Sequence, residues 1–404
     1  MSEPAQDLPS RKVTETKQVM NRSMSDALKI ANDYYTSSKS RSPLPASEKD
    51  VTVIYSSTTA RNSNSDTLMY AIDSPNGDGF VIISAPVNVT PIIGIAEDGS
   101  FNDDTTNSND AFQYALALSR DYVTSSTLLN PDKITVSNKT DTLKSYVHVS
   151  RRISVDWDQR WPGNIYCSNG LTGCVPLSIA MICSYFGEPS SASLEYSERD
   201  QESVSLNWDE IKKHTGRNYF STIDPSTDPN HFDNCTTEEH HRNLARFIRQ
   251  IGHKANASYN ENATSVKDPY PFSTLKYYLP NQNRISGSNS SELINDIIDY
   301  NGVALMLGNS GIYGHAWVAD GAMHMRYIIT NYEYMPFGED PITTTTEENK
   351  YYLHLNWGWG GKCNGFFLAD VFNTLSAYQY DSPLVDNSAA DLDFSNTTYY
   401  LYLY

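Results

Sequence analysis

Apolar positions in this chain follow two alternating periods. Met24, Leu28, Ile30 and Ala31 recur among polar residues at helical spacing and predict a short amphipathic helix over Met24–Tyr35. The pattern then shifts to short β-rich runs, Val51–Tyr55, Thr67–Ile72, Gly79–Ala85 and Pro91–Ala96, separated by clusters such as Pro75-Asn76-Gly77. Such runs predict antiparallel strands. Phe112, Leu116 and Val123 return to helical spacing, the polar stretch Ser137–Asp141 reads as a linker, and a domain boundary is expected near Tyr146. Beyond it, Ile179, Ile182, Cys183 and Phe186 at i, i+3, i+4 and i+7 define one apolar helix face. Leu244, Phe247, Ile248 and Ile251 define another, with Thr237 ahead of it and Gly252 as its expected stop. Val303–Leu307, Ala316–Ala319, Tyr327–Thr330, Tyr352–Leu355 and Gly365–Leu368 read as strands, and Thr343–Thr346 with Glu347-Glu348 as a polar loop. The fold class is therefore α+β: helices first and a mostly antiparallel sheet afterwards in the second domain, preceded by an α+β region with its own antiparallel sheet.

The chain has 404 residues, enough for two or three domains. Its 30 basic and 48 acidic side chains give a net charge of −18, which repels nucleic acid phosphates and anionic membrane surfaces. No run approaches the ~20 apolar residues of a membrane span. Met1–Lys12 lacks the apolar core of a signal peptide and reads as a flexible leader. Five cysteines are too few and scattered for a disulfide framework, and their odd number leaves at least one thiol unpaired. Cys183 lies on an apolar helix face and reads as core, while Cys167, Cys235 and Cys363 lie near loops.

The phosphate-binding glycine loops, the His-Glu-x-x-His and Cys-x-x-Cys motifs and the Gly-x-Ser-x-Gly elbow are all absent; Gly308-Asn309-Ser310-Gly311 misses the last by one position. What remains is Cys174, in Thr172-Gly173-Cys174, at the start of an apolar helix. Unpaired N–H groups and the helix dipole there favour a thiolate and can hold an oxyanion. Taken alone, such a cysteine is more often a small buried hydrophobe. A base is available in His315, within Tyr313-Gly314-His315-Ala316-Trp317-Val318, whose small neighbours leave the imidazole approachable. His240 and His241, like His214, His231 and His253, read as solvated surface residues without zinc-site spacing, so neither metal nor organic cofactor is expected. In Asn356-Trp357-Gly358-Trp359-Gly360-Gly361 an amide could orient the imidazole while a Trp shields that bond; the plainer reading is a glycine-rich turn with core aromatics, or a sugar-stacking platform. Gln159, upstream of the thiol, could supply a second oxyanion donor.

The order Gln, Cys, His, Asn-Trp resembles the papain-like arrangement. The local words Gln159-Arg160-Trp161-Pro162-Gly163-Asn164, Thr172-Gly173-Cys174-Val175, Gly314-His315-Ala316-Trp317-Val318-Ala319-Asp320-Gly321 and Asn356-Trp357-Gly358-Trp359-Gly360-Gly361 resemble the streptopain family of bacterial cysteine endopeptidases. Gly79–Ala85 and Pro91–Gly94 are similar to that family's inhibitory pro-domain. The resemblance implies a papain-like catalytic domain over 147–404, kept inactive by a pro-domain over 1–146 that is later removed, and protein or peptide substrates. It further implies Cys174 as nucleophile, His315 as acid and base, Gln159 and the Cys174 N–H as oxyanion donors, Asn356 as orienter and Trp357 as shield. Gly314 resembles a backbone substrate contact, and Ser265 is a second such candidate. By the same resemblance the enzyme is exported to a periplasm, cell surface or medium. Pro176-Leu177 after Cys-Val and Ile182 after Ala-Met depart from the family's usual residues, although Pro176 is tolerated in a first helical turn. Two other readings of the same residues are a catalytically silent homologue that binds protein or glycan and an acyl-transferring thiol enzyme.

Overall fold

The computed structural model describes residues 21–37, 45–55, 67–75, 77–102, 106, 109–129, 136–160, 162–195, 203–213, 239–260, 263–267, 269–287, 290–309, 314–333, 342–372 and 396–403. Trp161, Thr237, His214, His231 and Cys235, singled out above, lie outside them.

The N-terminal part forms close to its expected bounds. Helix α1 (Met24–Ser37) precedes an antiparallel meander of β1 (Val51–Tyr55), β2 (Thr67–Asp73), β3 (Phe80–Ser84) and β4 (Ile92–Ala96), followed by α2 (Asp110–Leu129). Residues expected to form a linker instead lie inside a strand, β5 (Val136–Val149). Its polar stretch pairs along an edge that a much longer strand, β12 (Gly314–Glu333), leaves open, and available backbone partners outweigh weak hydropathy there. The expected boundary at Tyr146 falls within β5.

Among the described residues four helices follow: α3 (Cys174–Phe186), α4 (Trp208–Lys213), α5 (Glu239–Lys254) and α6 (Tyr270–Tyr278). Two small hairpins accompany them, β6 (Ser191–Ser193) with β7 (Ser203–Ser205) and β8 (Ser258–Asn260) with β9 (Ala263–Ser265). Gly252 does not stop α5, which runs on to Lys254; the glycine instead lets the Tyr259 hydroxyl approach the helix backbone. His241, expected at the surface, is buried on the inner face of α5. The rest of the chain adds β10 (Asn283–Gly287), α7 (Ser290–Tyr300), β11 (Val303–Asn309), β12, β13 (Ile342–Asn356), β14 (Gly365–Leu368) and β15 (Asn396–Leu403). Two runs expected as separate strands are fused in β12, and the expected loop Thr343–Thr346 is part of β13. A long β12–β13 hairpin gives those threonines backbone partners, and β-branched residues suit a pleated surface.

One sheet joins both parts, in the order β1-β2-β3-β4-β14-β13-β12-β11-β15-β10, with β5 also on β12. The junction is β4–β14, where Ala96, Ile95 and Gly94 face Gly365, Phe366 and Phe367. Strand β11 up to Met306 and residues 316–323 of β12 are buried on both faces, which explains their nearly continuous apolar sequence. Ala304, Met306, Trp317 and Ala319 pack with α2, α7 and the aromatic rings Phe80, Phe112, Trp357 and Phe367. Val303, Leu305, Ala316 and Val318 pack with α3, α5 and α6 through Ile179, Phe247, Ile251 and Leu275. The sheet thus carries the N-terminal helices on one face and the helix that begins at Cys174 on the other.

Candidate active site

Cys174 is the first residue of α3 and is half-buried, whereas Cys167, Cys183 and Cys363 are buried. Burial pushes the Cys183 thiol up and carries Cys167 up to about 11, so neither ionises readily near neutral pH. Among the described cysteines Cys174 is the accessible thiol, and the first turn of its helix holds no acidic residue to oppose a thiolate. The turn into α3 depends on Gly173, which has φ of 85°, a region unfavourable for residues with a Cβ. A Cβ there would also lie 2.7 Å from the Thr264 methyl. Thr264 belongs to the β8–β9 hairpin and ties it to the nucleophile loop: its hydroxyl donates to the Leu171 carbonyl at 3.0 Å and accepts from Asn169 Nδ2 at 3.0 Å. Ser265, the next residue, is exposed on that hairpin.

Backbone bonds bring the other segments to this helix start. The Thr172 N–H donates to the Gln159 carbonyl at 2.8 Å, holding Gln159 against the loop that ends in Cys174. The Gly360 N–H donates to the Trp157 carbonyl at 3.0 Å, and Asp158 bridges to Trp359, so the 157–159 segment is also fastened to the Trp turn. That turn rests on α3, because Gly358 leaves room for Leu177, whose Cδ2 lies 2.9 Å from where a Cβ would stand. Gly314 and His315 open β12 opposite Asn309 and Gly308, and His315 is half-buried. Asn356 ends β13 opposite Val318. Its amide bonds to backbone here: Nδ2 donates to the Val155 carbonyl at 2.9 Å, and Oδ1 accepts from the Gly358 N–H at 3.1 Å. Trp357 is held through both donors, its N–H on Asn364 Oδ1 at 3.0 Å and its indole Nε1 on the Cys363 carbonyl at 2.7 Å. Its ring meets Phe367 edge-on at 5.2 Å and Trp317 at 5.6 Å.

The N-terminal part grips the same elements. Glu97 N–H donates to the Asn364 carbonyl at 2.7 Å, Cys363 N–H donates to Asp98 at 3.3 Å, and Thr106 Oγ1 lies 3.4 Å from Cys363 Sγ. Tyr114 on α2 packs against Trp317 at 5.3 Å and fills the space that Gly308, directly across from His315, leaves open. A Cβ on Gly308 would stand 2.3 Å from that ring. Gly308→Ala is therefore expected to overpack this contact, at about 1–3 kcal/mol, and to loosen α2. Faster limited proteolysis between α2 and β5, with a lowered melting temperature, is the expected readout; unchanged cleavage and melting would show that Tyr114 does not hold the two parts together.

Sequence reasoning passed over Tyr114, Thr264 and a buried pair, Asp320 with His354, whose Oδ1 and Nδ1 are 2.6 Å apart beneath Glu97. Only the last left a trace in the sequence, as an acid within the otherwise apolar run Ala316–Ala322.

The sequence model of the Peptidase C10 family matches residues 157–367, just over half of the chain, and that described as Spi protease inhibitor matches residues 11–127. The chain is 22% identical over 232 residues to the thiol protease/hemagglutinin PrtT of Porphyromonas gingivalis, covering 54% of this chain and 23% of that protein. It thus spans about a quarter of the length of that relative. Among solved structures, a prointerpain A fragment of Prevotella intermedia carrying a cysteine-to-alanine substitution is similar in fold, with a TM-score of 0.51 at 14% identity over 86% of this chain and 98% of that one.

Proposed function

Because the chain belongs to the peptidase C10 family, we propose that it is a cysteine endopeptidase made as a zymogen, with Cys174 as nucleophile. The observation that carries this reading is the placement of one accessible thiol at the start of an apolar helix, fastened on one side to Gln159 and on the other to the Asn356-Trp357 turn. In this mechanism the Cys174 thiolate attacks the scissile carbonyl, and His315, as imidazolium, protonates the leaving amine; water then hydrolyses the thioester with His315 as base. The Cys174 N–H and the Gln159 side-chain amide hold the tetrahedral oxyanion. Asn356 orients His315 through the second lone pair of Oδ1, the first being taken by the Gly358 N–H, and Trp357 keeps water from that bond. Gly314 and Ser265 offer their backbones to the bound peptide.

Residues 1–146 act as the inhibitory pro-domain and 147–404 as the catalytic domain. Inhibition is supported by the contacts of Tyr114, Glu97 and Thr106 with the elements that carry His315 and Trp357. A protease stored inactive suits release outside the producing cell, so we read the chain as an exported enzyme; no helix among the described residues is long and apolar enough to cross a membrane.

The test is a time course of the purified chain under mild reducing conditions at neutral pH with casein present, followed by mass. The expected result is loss of an N-terminal fragment ending near Tyr146, followed by casein cleavage. An intact chain that stays inactive on casein even after the region near Tyr146 is cut by an added protease would overturn the proposal in favour of a binding homologue. Transfer of acyl groups to added amines without net hydrolysis would overturn it in favour of a transferase.

A further inference from the structure

On the exposed side of β5 and β12, nine residues along β12 from His315, two histidines converge. The register of the two strands slips between Ala322, opposite Val149, and Met323, opposite Val147, so His148 is the extra residue of a β-bulge. Bulges re-aim side chains. Here His148 Nε2 stands 2.5 Å from His324 Nδ1, with the rings 4.7 Å apart and inclined by 28°. Tyr146 stacks on His324 at 4.7 Å and 19°, and Tyr351 of β13 stands beside it at 5.8 Å, so the His324 ring is walled by aromatics and its nitrogen is aimed at its partner.

Two imidazole nitrogens this close cannot both present lone pairs to each other; something positive must lie between them, and in the bare chain that is a shared proton. Holding a second proton is disfavoured, since partial burial and then the neighbouring His148 lower the pKa of His324. Neutral imidazoles in this position are ligands for late first-row cations. The mechanism proposed above uses neither residue.

We propose that His148 and His324 form a two-imidazole binding site for a divalent late transition cation such as Ni2+, Cu2+ or Zn2+, with water in the remaining positions. With metal–nitrogen bonds of about 2.0–2.1 Å, two neighbouring ligands on one ion stand roughly 3 Å apart with lone pairs converging on it, so the rings must part by about half an ångström and turn from facing each other towards a common point. His148 is exposed and has that freedom. The nearest cation on β12, Arg326, is bonded to Glu347, so its charge is already paired, and the net charge of −18 draws cations to the surface. Among the described residues no third His, Cys, Asp or Glu joins a metal-binding group, which sets the site at moderate rather than tight affinity. A bound ion would staple β5 to β12 immediately after Tyr146, pinning the new N-terminus that processing there would create; only this consequence rests on the protease reading.

The test is calorimetric titration of Ni2+ into the full chain carrying Cys174→Ala, which removes the accessible thiol, beside the same chain with His148→Ala or His324→Ala. One ion per chain is expected, bound at micromolar concentrations. Losing a ligand costs no less than losing one of its supporting partners, so each variant should bind at least about 10-fold more weakly. Electron paramagnetic resonance of the Cu2+ form should show two imidazole nitrogens in the parent and fewer in either variant. Both substitutions lie on an outer sheet face, and unchanged circular dichroism would show that the fold is kept. Equal affinity in parent and variants, or no binding at millimolar Ni2+, would overturn the proposal whatever the chain does to casein.

Discussion

Cys174→Ala is expected to lower peptide hydrolysis by roughly 10^4- to 10^6-fold, the cost of removing the nucleophile from an acyl-transfer unit whose oxyanion donors stay in place. The loss should be this large because, among the described residues, no neighbouring thiol can substitute. Cys183 is fully buried on the same helix and Cys167 is held in its thiol form by burial. His315→Ala should cost about as much, and the double variant little more, since thiolate and imidazolium act as one unit. The measurement is kcat/KM on a peptide after the N-terminal region has been removed by an added protease, so that failure of self-processing is not mistaken for failure of chemistry. Additive losses in the double variant, or a Cys174→Ala enzyme retaining more than about one part in a hundred of the rate, would remove Cys174 from the role of nucleophile.

The features behind that prediction were legible in the chain because they are local. A glycine before a cysteine, followed by apolar residues at helical spacing, specifies a helix start whatever it packs on, and α3 begins at Cys174. Hydropathy assigns a face to a segment without naming what covers it, and that is where the reading ran out. The β4–β14 junction that carries one sheet through both parts joins residues about 270 positions apart, and neither strand announces its partner. Polar segments 137–141 and 343–346 became strands because β12 is long enough to pair with both. Asn356 could be read as an amide beside a Trp turn, but not that in this structure it bonds to Val155 and Gly358. Tyr114 over Gly308 is a fit between shapes, invisible to either segment alone.

The buried pair beneath Glu97 supplies the second large effect. Asp320 is fully buried: one carboxylate oxygen accepts from the Ile153 N–H at 2.8 Å and the other from His354 Nδ1 at 2.6 Å. His354 is 1% exposed, and its Nε2 lies 3.5 Å from Glu97, long for a hydrogen bond, so that contact is chiefly Coulombic. Burial opposes a charged imidazole, but Asp320, through charge and hydrogen bond, and then Glu97 outweigh it and raise His354 to about 9 from its ordinary 6.5. A pKa raised by folding stabilises the chain fully below the unfolded value and ceases to do so as pH climbs through the folded one. Stability is therefore expected to fall by about 3 kcal/mol between pH 6.5 and about 9, where the unfolded imidazole is already neutral and the folded one is losing its proton. Asp320→Asn should cost about 3–5 kcal/mol near neutral pH, because it strips the counter-charge from a group with no access to water, and should flatten that pH dependence. Glu97→Gln, at a half-exposed residue of the N-terminal part, should cost less than about 1 kcal/mol and leave most of the slope intact. Urea unfolding of the three chains, each in a Cys174→Ala background, across this pH range is the measurement. A parent whose stability does not change between these limits would mean that His354 is neutral when folded, and Asp320→Asn would then cost no more than a lost hydrogen bond, about 1 kcal/mol.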